Sequence, residues 1–351
     1  MIESLTARLV TARLPRPWGA DVAENHLIEV RVRDRDGADG VGVTWTPTIG
    51  AHAVLALLEH DIRAYAVGRP SDAEALWEPL WRHLHEAGGG GVTTIAMAGL
   101  DLALWDLAAR RAARSVPALL GLRRREVPTY GSGVNRHLPL GELLAQVDRW
   151  LAAGHTALKI KVGGRPLGED LERVAAVRER IGPDRDLMVD ANQLWEVDEA
   201  IAAADALQRY APRWLEEPVR ADDLPAHRAL AAATTLPIAA GENLHTRFRF
   251  REFLEAGVLA VAQPNVVRVG GITPFLRIAE DAAANGVPIL PHLLPELSGQ
   301  LAMCLPEATL IEDVEDASFA ALGVLAEPAP IRIAGNRALL VDRPGLGIVL
   351  R

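Results

Sequence analysis

Between residues 187 and 242 the chain reads Leu187-Met188-Val189-Asp190-Ala191-Asn192, then Arg213-Trp214-Leu215-Glu216-Glu217, then Pro237-Ile238-Ala239-Ala240-Gly241-Glu242. Three short apolar runs each carry an acidic residue at their end, and the acids stand 26 residues apart, at 190, 216 and 242. That step is the length of one strand, one helix and their loops. The same texture runs outward in both directions. Further strand candidates are Pro128–Ser132, Ala157–Val162, Val261–Val266, Pro288–His292 and Thr309–Val314, which brings the total with the three above to eight. Helical stretches such as Leu140–Ala153, Asp170–Ile181 and Asp198–Tyr210 lie between them. Strands alternating with helices predict an α/β chain with a parallel barrel rather than an open sheet.

A barrel gathers the C-terminal ends of its strands at one mouth, so Asp190, Glu216 and Glu242 are expected to converge there. A single acid at a strand end is ordinarily a helix cap or a solvated loop residue. Three facing carboxylates repel one another unless a hard cation joins them. Mg²⁺ suits the set, because it takes oxygen ligands and fills its remaining positions with water or substrate.

One unit earlier, Ala157-Leu158-Lys159-Ile160-Lys161-Val162 alternates as a strand with both amines on one face. These are the only two lysines among 37 basic residues. Arginine stays protonated, whereas a buried lysine shifts its pKa and can work as a base. In a chain so short of lysine, the pair points to chemistry rather than to a solvated edge strand. His292 ends the candidate strand Pro288–His292 on the far side of the ring. A lone histidine is more often structural. No second histidine stands at metal-ligand spacing, and its place at a strand end reads as acid/base.

Composition narrows the partners. A formal net charge of −9 without a basic patch argues against nucleic acid, and Arg123-Arg124-Arg125 reads as a solvated linker. The single cysteine, Cys304, excludes an intrachain disulfide and fits a reducing compartment. No signal-peptide pattern opens the chain, and no apolar run approaches the ~20 residues of a membrane span, so a cytoplasmic protein is expected.

The first part reads as α+β. Leu27 to Arg33 alternates as a strand, turns at Asp36-Gly37 and returns through Gly42 to Trp45. Helical stretches near Ala51–Tyr65 and Asp72–His85 precede Gly88-Gly89-Gly90-Gly91, which lacks the Lys-Ser/Thr of a phosphate loop and reads as a joint. Gly99 to Ala108 is a strongly apolar helix, and Pro328 to Arg351 reads as strand and turn returning to the N-terminal unit.

Taken together these residues resemble the enolase superfamily, nearest its mandelate-racemase branch, which includes acid-sugar dehydratases. The likeness covers nearly the whole chain. It rests on Leu100-Asp101 to Trp105-Asp106, Lys159-x-Lys161, Asp190-Ala-Asn192-Gln193, Glu216-Glu217-Pro218, Gly241-Glu242-Asn243, Gln263-Pro264, Gly270-Gly271-Ile272, Pro291-His292-Leu293 and Pro344-Gly345-Leu346-Gly347. The resemblance implies a modified (β/α)₇β barrel over 127–325, with an α+β capping domain over 1–126 and a segment 326–351 that returns to it. It implies one Mg²⁺ held by Asp190, Glu216 and Glu242, and removal of the proton α to a carboxylate through an enediolate. It makes Lys161 the base and Lys159 the partner near the substrate carboxylate, whose charge would depress the Lys161 pKa. It matches Glu312 to a glutamate that donates a hydrogen bond to that carboxylate and so needs a raised pKa. The competing reading leaves Glu312 in the acidic surface run Glu312-Asp313-x-Glu315-Asp316. A small-molecule carboxylate substrate and a homo-oligomer follow from the same resemblance.

One position departs from the branch. Its sixth strand carries an aspartate that charges the catalytic histidine, and the matching residue here is Asn265. Asparagine can orient His292 but cannot stabilise an imidazolium as a carboxylate does, which predicts a mostly neutral ring. Other branches place a lysine there, and this chain has no third lysine. A two-base racemase is handicapped by Asn265, whereas a dehydratase needs one strong base, Lys161, and one acid, His292. Dehydration of a sugar acid to a 2-keto-3-deoxy acid is therefore the first expectation. Racemisation or epimerisation of a 2-hydroxy acid is the second, and a metal-binding protein impaired by Asn265 is the third. Trp18 and Trp45, in segments Pro15–Gly19 and Thr44–Gly50, read equally as a cover over substrate and as hydrophobic staples. Arg268 reads as a buttress of the metal ligands or as half of a structural ion pair.

Overall fold

The computed structural model describes residues 1–18, 22–307 and 309–351. Three antiparallel strands open the chain: β1 (Ile2–Trp18), β2 (Val22–Asp34) and β3 (Asp39–Thr46), in the order β1-β2-β3. The β2–β3 turn is held by Asp34, whose Oδ1 accepts the N–H groups of Asp36 and Ala38 at 3.0 Å each. Pro15 to Trp18, expected in a loop, lie at the end of β1, and Gly19 is outside the described residues.

The helix Val92–Arg111 crosses this sheet at close range. A Cβ at Gly40 would collide with the Ala103 carbonyl oxygen, and one at Gly42 with that of Gly99, so only glycine allows the approach. This helix is long and apolar enough to cross a membrane by length and composition, which corrects the expectation that no segment is. It is mostly buried within the protein, as a core helix apolar on all sides should be.

The barrel strands follow: β4 (Glu126–Ser132), β5 (Ala157–Lys161), β6 (Asp186–Asp190), β7 (Leu215–Glu216), β8 (Ile238–Ala240), β9 (Val261–Ala262) and β10 (Ile311–Val314). They pair in parallel from β4 through β9, and β10 pairs back onto β4. Pro288–His292, expected as a strand, makes only an isolated bridge, Ile289 to Ala262. Pro288 and Pro291 lack the N–H groups a ladder requires. Tyr130, Met188, Trp214, Ala239, Val261 and Leu290 fill the interior as one buried cluster.

The last strands, β11 (Ile331–Ala334) and β12 (Arg337–Leu340), form a hairpin whose β12 runs antiparallel to β4. The C-terminal segment therefore does not return wholly to the N-terminal unit as expected. Its hairpin extends the barrel sheet, and the residues beyond it reach the cap, where Leu346 N–H donates to Asp106 at 2.6 Å and Leu350 N–H to Glu29 at 2.8 Å.

Candidate active site

Strand register sets the site. Lys161 pairs with Asp190, and Asp190 with Glu216, so one base and two carboxylates stand side by side at the ends of β5, β6 and β7. Glu242 follows β8 by two residues. Asp190, Glu216 and Glu242 are all buried, and one oxygen from each lies within 4.8 Å of the others. Five non-glycine residues with left-handed φ cluster at these ends, namely Asn192, Gln193, Glu217, Leu293 and Leu294, which places backbone strain around the same mouth.

Lys161 bonds Asp190 Oδ2, and its backbone N–H donates to Asn135 Oδ1 at 2.9 Å. Lys159 lies beneath the site, fully buried, with its amine 2.6 Å from Glu216, 2.9 Å from Glu312 and 3.5 Å from Asp190. It does not face the cavity as the expected carboxylate partner would; it serves as a buried counter-ion to three carboxylates. On the opposite wall, His292 Nε2 is 2.6 Å from Glu242 Oε2, and its Nδ1 is 3.0 Å from the Asn265 amide nitrogen.

Glu312 is buried on β10, so the surface-run reading fails. It receives the Ser132 hydroxyl at 2.7 Å and the Leu293 N–H at 3.2 Å. Burial would raise its pKa, but Lys159, His292 and Lys161 together outweigh burial and hold it down at about 2. Glu312 is thus an ionised acceptor, which corrects the expectation of a protonated donor.

Burial lifts Glu216 to about 7 despite Lys159, and lifts Glu217 well above the carboxylate range, with Glu242 adding to the effect. Glu242 is held well below that range, because His292 and Lys161 outweigh its burial. The Lys161 pKa is raised, contrary to expectation. Burial and Lys159 both pull it down, but the facing Asp190 carboxylate, with Glu242 and Glu216, overrides them. The cost of gathering these carboxylates, and the all-oxygen donor set, fit a hard dication on Asp190, Glu216 and Glu242.

Sequence reasoning did not assign the groups that orient these ligands. Trp214 Nε1–H and the Gln263 amide donate to Glu216 Oε2 at 3.0 and 2.7 Å. The Asn243 amide donates to Glu242 Oε1 at 3.1 Å and to both oxygens of the neighbouring Glu217 at 2.9 Å. Trp214 was legible as the same-face neighbour of Glu216, two residues back on one strand. Arg268 donates to the Glu242 carbonyl at 3.1 Å and also to Asn243, as a buttress and not as an ion pair.

A cavity of about 180 Å³ opens above, lined by Lys161, Asn192, Glu242, His292 and Glu312 on its polar side and by Trp18, Trp45, Pro47, Leu293 and Val314 on its apolar side. Both tryptophans line it. Trp45 also belongs to the main core and Trp18 packs against it, so the two readings hold together.

A capped parallel barrel with one lysine, one histidine and a carboxylate triad between them defines a metal-dependent enzyme acting on a small molecule. Residues 142–351 match the enolase C-terminal domain-like family, and residues 7–121 match the mandelate racemase / muconate lactonizing enzyme N-terminal domain. The chain belongs to this family of the enolase superfamily. It is 39% identical to the 3,6-anhydro-alpha-L-galactonate cycloisomerase of Streptomyces coelicolor, over 92% of this chain and 89% of the relative. It is 35% identical to the L-talarate/galactarate dehydratase of Salmonella typhimurium, over 94% and 81%. A solved structure of a racemase from Streptomyces coelicolor with bound magnesium superposes with a TM-score of 0.93 at 37% identity, covering 100% of this chain and 97% of that one.

Proposed function

We propose that this protein is a Mg²⁺-dependent lyase that removes the proton α to the carboxylate of a sugar acid and expels the β-oxygen, leaving a 2-keto-3-deoxy acid. The observation that carries this reading is the placement of Lys161 and His292 on opposite sides of the Asp190–Glu216–Glu242 triad, both lining one cavity. The cation, when bound, supplies positive charge where the substrate carboxylate gains electron density.

Lys161, as the free amine, takes the α-proton. The C–H pair becomes the Cα=Cβ bond as the Cβ–O bond breaks with its pair on oxygen. A proton reaches that oxygen through His292 Nε2, which recovers one from solvent while Lys161 releases its own. The enol then becomes the ketone. Trp18, Trp45 and Pro47 lie over the cavity and limit the access of water.

A second reading is favoured by the 39% identical cycloisomerase. The same two bonds break when the leaving oxygen belongs to a ring, but the oxygen then stays attached and no water is lost. The apolar wall of the cavity suits a compact ring. The reading includes a cytoplasmic setting, supported by the single Cys304, and self-association, supported by family resemblance.

The test is incubation of the Mg²⁺-loaded protein in deuterium oxide with panels of open-chain and cyclic sugar acids and 2-hydroxy acids. NMR follows α-proton exchange and mass spectrometry follows the product. A keto acid lighter by one water supports the lyase, and a keto acid of unchanged mass supports the ring-opening reaction. In either case Lys161→Ala should lose exchange by about 10²–10⁴-fold, the usual contribution of a positioned base. Inversion without a keto product would sink both readings in favour of a racemase.

A further inference from the structure

The amide of Asn265 is fully buried, and main-chain hydrogen bonds fix which way it points. Its Oδ1 accepts the Val267 N–H at 3.0 Å and the Arg268 N–H at 3.2 Å, in the loop that follows β9. Turning the amide over would set its NH₂ against two N–H donors and leave all of them unsatisfied. The group 3.0 Å from His292 Nδ1 is therefore the NH₂. An NH₂ only donates, so Nδ1 must present its lone pair, and the ring proton must sit on Nε2. The far side of the ring agrees. Nε2 lies 2.6 Å from Glu242 Oε2, a hydrogen-bond distance that a proton on Nε2 accounts for.

We infer that Asn265 is a positioning residue that fixes His292 as the Nε2–H tautomer, so that Lys161 is the sole base of the site and α-proton removal is confined to one face of the substrate. This rests on the proposed function and narrows it. With an aspartate at position 265 the polarity would reverse. The carboxylate would accept from Nδ1–H, and Nε2 would turn a lone pair toward the α-carbon, as in catalytic His–Asp pairs. Here Nε2 has no lone pair to offer. It donates a hydrogen bond to substrate oxygen, as neutral imidazoles do in other enolising enzymes. Lys161 makes the only bond change to the α-hydrogen: C–H breaks, N–H forms, and the electron pair remains on the substrate.

Two measurements test the inference. The first is nitrogen NMR of histidine-labelled, Mg²⁺-loaded protein. His292 is assigned among ten histidines by His292→Gln or, if that variant does not fold, by the broadening that Mn²⁺ causes when it replaces Mg²⁺. The expected signature is an unprotonated Nδ1 and a protonated Nε2, with Asn265→Asp moving the proton to Nδ1. A wild-type ring protonated at Nδ1 overturns the inference. The second is exchange in deuterium oxide with α-epimeric pairs of substrates. Wild type should exchange one epimer of each pair. Asn265→Asp should gain about tenfold or more on the other, a fraction of what a well-placed base contributes. Wild-type exchange of both epimers also overturns the inference. If no sugar acid exchanges at all, the proposed activity falls while the ring signature still decides the tautomer.

Discussion

At the scale of single residues, the site is a charge balance that only partly closes within the chain. Lys159 is the hinge of that balance, since it touches Glu216, Glu312 and Asp190 from a position without solvent. Removing one partner of a buried ion pair leaves an uncompensated charge, at a cost of about 3–5 kcal/mol. Lys159→Met should lower unfolding stability by that amount in urea titrations, and adding Glu312→Gln should recover part of the loss because the two residues are coupled. Lys159→Met as stable as wild type would refute the counter-ion role. The identities of these residues were legible in the sequence, because two lysines and three evenly spaced acids stand out in any reading. Their protonation states were not. Whether Glu312 donates or accepts depends on the Lys159 amine 2.9 Å away, and the upward shift of Lys161 depends on a facing Asp190. Neither distance can be read from residue order. Asn265 shows the same limit: the departure was visible, but the direction of its amide is set by the N–H groups of Val267 and Arg268.

At the scale of elements, the barrel strands were legible because their apolar runs stop at acids, with helical stretches between. β1 escaped notice. Arg8, Arg13 and Arg16 interrupt its apolar pattern, a register shift breaks its alternation between Ile2 and Ser4, and Pro15 and Pro17 read as loop. The docking of helix Val92–Arg111 onto helix Ile272–Ala284 was equally hidden, since it runs through two side chains, one of them Trp105, whose Nε1–H donates to Thr273 Oγ1 at 3.0 Å. Asp101 accepts the Thr273 N–H at 3.1 Å, at the start of the second helix, from a buried position. Burial pushes its pKa up from 3.8 to about 7. An acid raised in the folded protein binds its proton more tightly there than in the unfolded chain. Its contribution to stability is therefore full below about 3.8 and is lost as pH rises to about 7. Asp101→Asn keeps an acceptor for Thr273 and has no proton to lose, so the stability difference, variant minus wild type, should grow in the variant's favour across that window. Glu296, raised to about 6 by burial, retains its own smaller slope in both proteins. Denaturation curves for the two proteins that run parallel from pH 4 to pH 7 would show that Asp101 does not titrate in this way.

At the scale of the whole molecule, cap, barrel and tail share the largest of their core clusters. The largest core cluster joins Leu27, Val43 and Trp45 of the cap sheet to Phe250 and Phe275 of the barrel helices and Leu346, Ile348 and Leu350 of the tail. A core cluster shared in that way predicts one cooperative unfolding transition, not separate melting of cap and barrel. Asp106 joins cap and tail in one side chain. Its Oδ2 accepts the Val41 N–H at 2.8 Å and its Oδ1 the Leu346 N–H at 2.6 Å, while Arg110 pairs with it from the same helix. Each buried N–H left without its acceptor costs about 1–3 kcal/mol. Asp106→Ala should therefore lose about 2–6 kcal/mol, the sum of two such groups, whereas Asp106→Asn, which keeps one carbonyl oxygen, should lose less. Trp18 and Trp45 belong to the cap yet line the cavity, so loosening that junction should also reach the site. Michaelis constants should rise in Asp106→Ala more than turnover falls, because the cap holds substrate while the barrel carries Lys161 and the triad. The check is urea unfolding followed by both tryptophan fluorescence and circular dichroism. Coincident curves shifted to lower urea are the expected result. Curves that separate in Asp106→Ala would mean that cap and barrel are independent units, held together through the cap–tail contact of this residue rather than through a common core.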